Sequence, residues 1–272
     1  MEVAPTPPIL DVRDGASFER LHRTGAVNIP LEELGRRMHE LPSRNVPLFI
    51  FDALEERMNA AVEQLRAAER SVAQVAFGDA WLHAGPTQAG PSTCRLWSPH
   101  EIVCEASDHA KRLWGDVTGR SVLDIACGTG RDAVYLALQG FDVEAWDILP
   151  DALERCDELA RRNGVTVQTA SRDVEAQVQI IAPDAYDLIG CVNFLHRPLM
   201  PQIAEGVRSG GLIVYETFVE PQRERFGNPS REAHVLKPGE LPNWFKGWEI
   251  LACREGPSGP RRIAAGLIGQ KP

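Results

Sequence analysis

Apolar residues fall along this chain in two alternating rhythms. Short runs rich in Val, Ile and Leu read as buried strands, and segments whose apolar positions recur every three or four residues read as amphipathic helices. Near the start, Ile9–Val12, Val46–Phe51 and Val72–Ala76 read as strands, and Ala16–Arg23, Leu31–Leu41 and Glu55–Arg70 as helices. In the last of these, Met58, Ala61, Val62 and Leu65 share one face. Gly25–Pro30 is a turn and extended segment, and Met1–Pro8 is Pro-rich and loose. The sharpest change of composition is Gly85–Thr93, GPTQAGPST, which reads as a linker.

Beyond it the alternation resumes. His100–Gly115 is helical, with Ser98 as N-cap and Pro99 in the first turn. Ser121–Ala126, Phe141–Trp146, Val165–Ala170, Tyr186–Val192 and Leu212–Phe218 read as strands, with helices over Arg131–Leu138, Pro150–Asn163 and Leu199–Arg208. Glu220–Lys237 is polar, interrupted by Pro221, Gly227 and Pro229, and reads as a loop that serves as a lid. Glu240–Phe245 is a short helix. Trp248–Arg254 and Arg262–Gly269 form an antiparallel pair at the sheet edge, joined by a mobile Gly/Pro-rich stretch, Glu255–Arg262. Strands alternating with helices predict parallel α/β sheets in two domains, residues 1–91 and 92–272.

The chemistry gathers in VLDIACGTGRDAVYLALQGFDVEAWD, Val122–Asp147. Gly128, Thr129 and Gly130 sit between a strand and a helix, where bare backbone lets a ligand approach the helix N-terminus. Asp124 precedes the glycines, and Asp147 closes the next strand, 17 residues after Gly130. Two carboxylates and a bare turn therefore meet at the edge where open α/β sheets bind ligands, and the second acid can hydrogen-bond a ribose diol. A dinucleotide fold is the competing reading, since Ala133 stands where its fingerprint expects a third glycine and the pattern tolerates alanine.

The string D-I-A-C-G-T-G-R-D, with Asp147 beyond it, resembles the cofactor motifs of class I S-adenosylmethionine (SAM) methyltransferases. GRDAVYLALQGFDVEAWD and GELPNWFKGWEIL resemble the small-molecule methyltransferases related to tellurite-resistance proteins. The likeness runs from Ser121 to Pro272. It implies a Rossmann-like, doubly wound, seven-stranded methyltransferase domain with SAM as cofactor and S-adenosylhomocysteine as product. Asp124, Ala126, Cys127, Gly128, Gly130, Arg131, Asp147, Ile148, Asn193 and Phe194 would line the cofactor site. Asp173 would meet the adenine amino group and Val174 would pack on the ring, although an acid after a strand also serves as a helix cap.

Ile9–Gly85 resembles a rhodanese domain, in LDVRDGASFERLHRTGAVNIP and FGDAWLHAG. Such a sulfurtransferase carries its nucleophilic cysteine directly after the central strand, and Asp52 stands there instead. A carboxylate cannot hold a persulfide, and residues 1–93 contain no cysteine, so the domain is expected to be inactive. Asp52 then serves to cap the helix that follows.

Composition narrows the partners. A net charge of −9 with no basic run argues against nucleic acid or an anionic membrane. No apolar run reaches the ~18 residues of a membrane span, and there is no signal-peptide pattern. The six cysteines form no C-x-x-C pair and read as free thiols of a cytoplasmic protein without a metal site.

Transfer from a sulfonium needs alignment and the exclusion of water, and needs a base only where the acceptor carries a proton. His196, after the fourth strand of this domain, is the best polar candidate for the reacting centre, with a turn-stabilising surface histidine as the alternative. Arg197 could recognise an acidic acceptor, as could Arg225, Arg231 and His234 from the lid. Tyr215 and Glu216 could line the acceptor pocket, and Trp97 could touch the ligand. The expected function is methyl transfer to a small molecule, possibly a thiol or chalcogen nucleophile, with the rhodanese-like domain structural or docking another protein. A non-catalytic SAM-binding protein is the alternative, and an active sulfurtransferase is the reading Asp52 opposes.

Overall fold

The computed structural model describes residues 7–177, 179–259 and 261–272, so all but the end of the Pro-rich Met1–Pro8 stretch lies outside the described residues. The chain divides into two compact units between Ser98 and Pro99.

In the first unit β1 (Ile9–Asp11), α1 (Gly15–Arg20), β2 (His22–Arg23), β3 (Val27–Asn28), α2 (Leu31–Leu34), β4 (Leu48–Asp52), α3 (Glu55–Ala67), β5 (Val72–Phe77), α4 (Asp79–His83) and β6 (Thr87–Gln88) follow in order. The sheet runs β3-β1-β4-β5 and is parallel throughout. Leu10, Val12, Ile50, Met58, Ala61, Val62 and Leu65 form its core, so the apolar stripe of α3 faces the sheet. The expected helix Leu31–Leu41 is α2 plus a 3-10 turn over Met38–Glu40. Part of the expected linker is ordered structure: β6 pairs with β2, and Gly90 N donates to Glu19 O at 2.7 Å. Leu96 lies in the core of this unit, which places the division seven residues beyond 91.

The second unit contains α5 (Glu101–Trp114), β7 (Ser121–Ile125), α6 (Arg131–Leu138), β8 (Asp142–Asp147), α7 (Pro150–Arg162), β9 (Gln168–Ser171), β10 (Tyr186–Val192), α8 (Met200–Gly206), β11 (Val207–Phe218), α9 (Glu220–Phe226), β12 (Glu249–Gly259) and β13 (Arg262–Gln270). The sheet order is β12-β13-β11-β10-β7-β8-β9. The five strands from β11 to β9 are parallel, and β13 is antiparallel to both of its neighbours. The chain winds outward from β7 to β9, then returns to β10 on the other side of β7. That reversal opens a crevice beyond the carboxyl ends of β7 and β10.

Several boundaries moved for local reasons. β9 starts at Gln168 instead of Val165, whose amide is taken by Ala160 O (3.1 Å) in closing α7. The helix expected from Leu199 is a 3-10 turn over Arg197–Leu199 followed by α8. The expected helix over Glu240–Phe245 is a 3-10 helix from Leu241. The polar segment after β11 is no continuous loop: Pro221 occupies the first turn of α9, and Gly227, at φ +73°, terminates it. The stretch after Arg254 continues as strand to Gly259, paired with β13; residue 260 lies outside the described residues.

Candidate functional site

The turn after β7 is a tight reversal. Ala126, Gly128 and Gly130 have φ of +56°, +55° and +78°, a region that costs an L-residue ~1–2 kcal/mol, so alanine at 126 carries a strain the glycines do not. Gly130 is needed for space as well: a Cβ there would stand 2.1 Å from Cys156 Sγ of α7. At Gly128 a Cβ would meet nothing within 4 Å, because the turn faces a cleft.

The acid of the neighbouring strand holds the turn in place. Asp147 Oδ2 accepts Gly128 N at 2.8 Å and Oδ1 accepts Leu149 N at 2.9 Å. A carboxylate has about four acceptor sites, so two remain for a ligand. Asp147 lines a cleft of about 530 Å³ with Ala126, Trp146, Ile148, Arg172, Asp173, Val174 and Phe194. Ile148 is 54% exposed, an apolar side chain left at the mouth. Asp173 Oδ1 accepts Glu175 N (3.1 Å) and Ala176 N (3.0 Å) in a turn, and the residue also lines the cleft.

A second cleft of about 280 Å³ meets the first at Ala126 and Phe194. Asp124, Cys127, Gly128, Arg131, Val192 and Asn193 line it, together with His100 and Asp132. Asp124 is buried, and its Oδ2 has no hydrogen-bond partner. Burial, reinforced by the neighbouring Asp132 and Cys156, pushes its carboxyl well above the ordinary range. An orphaned buried acceptor facing a cleft is what an ammonium group would satisfy. The Cys127 thiol is pushed far up by the Cys156 thiol beside it and by burial, so it is no nucleophile.

Eleven of the twelve expected cofactor residues thus line two connected clefts, and the twelfth, Gly130, shapes the turn behind them. The two expected catalytic residues do not join them. Arg197 lies in a separate pocket with Glu220, Glu232 and Lys237. Its guanidinium grips Glu240 (2.7 and 2.8 Å) and the carbonyls of Ala233 (3.0 Å) and Val235 (2.9 Å). Four of its five N–H donors are thus engaged in pinning the segment after α9. His196 lines neither cleft. Asn193, at φ +63°, turns the chain at the end of β10, Tyr215 Oη ties Phe194 O at 2.8 Å, and His196 is carried on to begin the 3-10 turn. Tyr215 is therefore a buried brace instead of a pocket wall. Trp97 belongs to the first unit and lines neither cleft.

The polar chain that does reach the second cleft was not read from the sequence. Asp132 Oδ1 accepts His100 N (2.7 Å) and Oδ2 meets His100 Nδ1 (2.6 Å), so His100, not Ser98, caps α5. His100 Nε2 lies 3.1 Å from Asn193 Nδ2, and Arg262 donates to Asn193 Oδ1 and, at 2.7 Å, to Glu216 Oε1. The partners are up to 93 residues apart, which no periodicity reveals. The only signals were a histidine opening one helix and an acid, Asp132, opening another.

The fold and the connected clefts define an α/β methyltransferase unit built to hold an elongated cofactor. The family model of tellurite resistance protein TehB matches residues 105–259, more than half the chain, and the chain belongs to that family. The unit is a SAM-dependent methyltransferase, and SAM is its cofactor. The probable SAM-dependent methyltransferase TehB of Haemophilus influenzae is 29% identical over 49% of this chain, which spans 48% of that protein. A Schizosaccharomyces pombe protein, UNK4.09, is 24% identical over 85% of this chain and 82% of its own length. Among solved structures, H. influenzae TehB superposes with a TM-score of 0.50 at 23% identity, covering 62% of each chain. The magnesium protoporphyrin IX methyltransferase of Synechocystis with bound S-adenosylhomocysteine gives 0.51 at 16% identity, over 63% of this chain and 83% of that one. These two likenesses concern the fold. Among the described residues no helix is long and apolar enough to cross a membrane.

Proposed function

We propose that this protein transfers the methyl group of SAM to a small thiol or heavier-chalcogen nucleophile at the carboxyl edge of the second sheet. The observation that carries the reading is the turn Ala126–Gly130, held open by the Asp147 carboxylate beside the orphaned Asp124 oxygen. Asp147 and Ile148 would hold the ribose side, and Asp173 and Val174 the adenine. The Cys127–Arg131 backbone, Asp124 and Asn193 would hold the amino-acid end, with Phe194 between the two clefts.

The bound cofactor supplies a methyl group already activated on a sulfonium. The chain's own part is to align the acceptor and keep water out. Phe194, Val192 and Ala126 give the junction apolar walls. The first unit is read as rhodanese-like without sulfur transfer of its own, because Asp52 occupies the nucleophile's place and its carboxylate is engaged by Leu54 N (3.0 Å) and Arg57 Nε (3.2 Å). A cytoplasmic setting suits such an acceptor.

Calorimetric titration with S-adenosylhomocysteine tests the site. Micromolar binding by the wild type is expected, with at least tenfold loss in Asp147→Ala. Folded wild-type protein that binds none would overturn the reading.

A further inference from the structure

The hydrogen bonds around His100 fix its protonation pattern. Arg262 has only N–H groups to give, so the Asn193 atom it meets is the amide oxygen. Asn193 therefore turns its NH₂ group toward His100, and Nε2 must be the accepting nitrogen at 3.1 Å. The proton of the neutral ring then sits on Nδ1, where the Asp132 carboxylate takes it at 2.6 Å. A fully charged imidazolium would set an N–H of Nε2 against the NH₂ of Asn193.

Each end of this chain is anchored on rigid structure. Asp132 opens α6 directly after the Gly130 turn, with its side chain 11% exposed. Arg262 opens β13 and is held by Glu216 on β11, with its guanidinium 4.8 Å from the Phe218 ring centre. Between them Nε2, whose one lone pair accepts from the Asn193 amide, stands at the cleft shared by Asp124, Gly128, Val192, Asn193 and Phe194. A carboxylate that orients one ring nitrogen while the other faces a cleft is the arrangement of a general base.

Resting on the methyltransferase reading above, the geometry points to His100, oriented by Asp132, as the group that removes a proton from the methyl acceptor. The substrate class follows. The site is built for nucleophiles that arrive protonated near neutral pH, such as alkyl thiols or their heavier congeners as X–H, beyond those already present as anions. The acceptor's X–H takes the place of the Asn193 amide on Nε2. His100 receives the proton as X bonds to the methyl carbon. The electron pair of the breaking C–S bond stays on sulfur, leaving neutral S-adenosylhomocysteine. Asp132 balances the imidazolium until the proton passes to water.

Other ionisable groups face the ring's surroundings: Asp124 from β7, Cys127 and Arg131 from the turn and α6, and Arg262 from β13 through Asn193. A pH profile alone would not single out the ring. The decisive measurement is therefore the dependence of methyl-transfer rate on acceptor pKa at fixed pH 7, for a series of small thiols.

In the wild type the rate is expected to vary little with thiol pKa. Relative to thiols already ionised at pH 7, His100→Gln should methylate weakly acidic alkyl thiols about 10²–10³-fold more slowly. Asp132→Asn should give a slope of the same sign but shallower. S-adenosylhomocysteine affinity of both variants is measured by calorimetry, and the rates are compared at saturating SAM. A uniform loss across the thiols, or one that tracks lost affinity, would overturn the proposal in favour of cofactor binding or packing. Wild-type protein that binds the cofactor product but methylates no thiol sinks the acceptor class and this proposal together. Nitrogen-15 NMR of the wild-type histidines adds a readout independent of turnover. The proton on His100 Nδ1 is expected, and the Nε2–H tautomer would overturn the assignment.

Discussion

The turn after β4 and the turn after β7 both lead from a parallel strand into a helix, and both lie beside an acid. In the first unit Asp52 fills its own turn: it is buried, and its two oxygens accept Leu54 N and Arg57 Nε. Arg57 also meets Glu32 at 2.6 Å, so the guanidinium facing Asp52 is itself held in place. In the second unit the turn is bare at Gly128, its amide goes to Asp147 on the neighbouring strand, and Asp124 Oδ2 is left without a partner. The first turn is finished by folding. The second is finished only by a ligand, and an unmet buried carboxylate is a cost to stability that binding recovers.

The sharpest break comes from the glycines. Gly130→Val places a Cβ against Cys156 at positive φ, and we expect a loss of about 4 kcal/mol or more. In a unit of this size that lowers the thermal midpoint by roughly 8–16 °C. Gly128→Ala should cost only ~1–2 kcal/mol for its φ of +55°, yet weaken S-adenosylhomocysteine binding at least tenfold because its methyl enters the cleft. Equal losses of stability in the two variants would contradict the claim that one glycine serves packing and the other the ligand.

Next in size is Asp52→Ala. It strands the Leu54 amide and takes one partner from Arg57, so unfolding in urea should show about 1–3 kcal/mol less stability. Cofactor-product affinity should not change. A variant as stable as the wild type would mean that the first turn is no more finished than the second.

Asp124→Asn should do the reverse. The folded carboxyl titrates well above its ordinary value of 3.8, so the folded state holds a proton that the unfolded chain releases. Its contribution to stability is therefore present in acid and is lost as pH rises through the raised folded value. Asparagine removes that loss. The variant should match the wild type in acid and gain on it as pH approaches 7, by about 2–4 °C in thermal midpoint, while binding the cofactor product at least tenfold more weakly. A variant less stable at pH 7 would show that the buried carboxylate is satisfied after all.

The same contrast explains what the sequence could disclose. Strand and helix rhythms placed the second unit's sheet, and the spacing from Gly130 to Asp147 marked the sheet edge where the two clefts lie, because both are local patterns with a fixed structural meaning. The polar groups around the second cleft were less legible, because their determinants are not local. His196 and Arg197 were chosen for their position after β10, but the backbone of Asn193 diverts that segment, and Arg197 finds Glu240, 43 residues later. His100 and Asp132 meet across 32 residues, and Arg262 sits in a stretch whose Gly and Pro content read as mobile. Pro221 and Gly227 were taken as interruptions, whereas in place they start and stop α9. Breakers mark element ends as readily as their absence.

The smallest effect lies at Ala126, where the chain carries a side chain at φ +56° between β7 and the bare turn. Left-handed backbone costs an L-residue ~1–2 kcal/mol, and glycine gives back ~0.5–1 kcal/mol through its freer unfolded state. Ala126→Gly should therefore stabilise by no more than ~1 kcal/mol, near the limit of a urea titration. The alanine methyl belongs to a residue that lines both clefts, at their junction with Phe194. If that methyl helps to wall the reacting centre from water, the glycine variant should keep its S-adenosylhomocysteine affinity within about twofold and transfer methyl groups more slowly. Higher stability with an unchanged rate would show that the strain at 126 serves nothing in the open turn, and that the difference between the two turns rests on the glycines and acids alone.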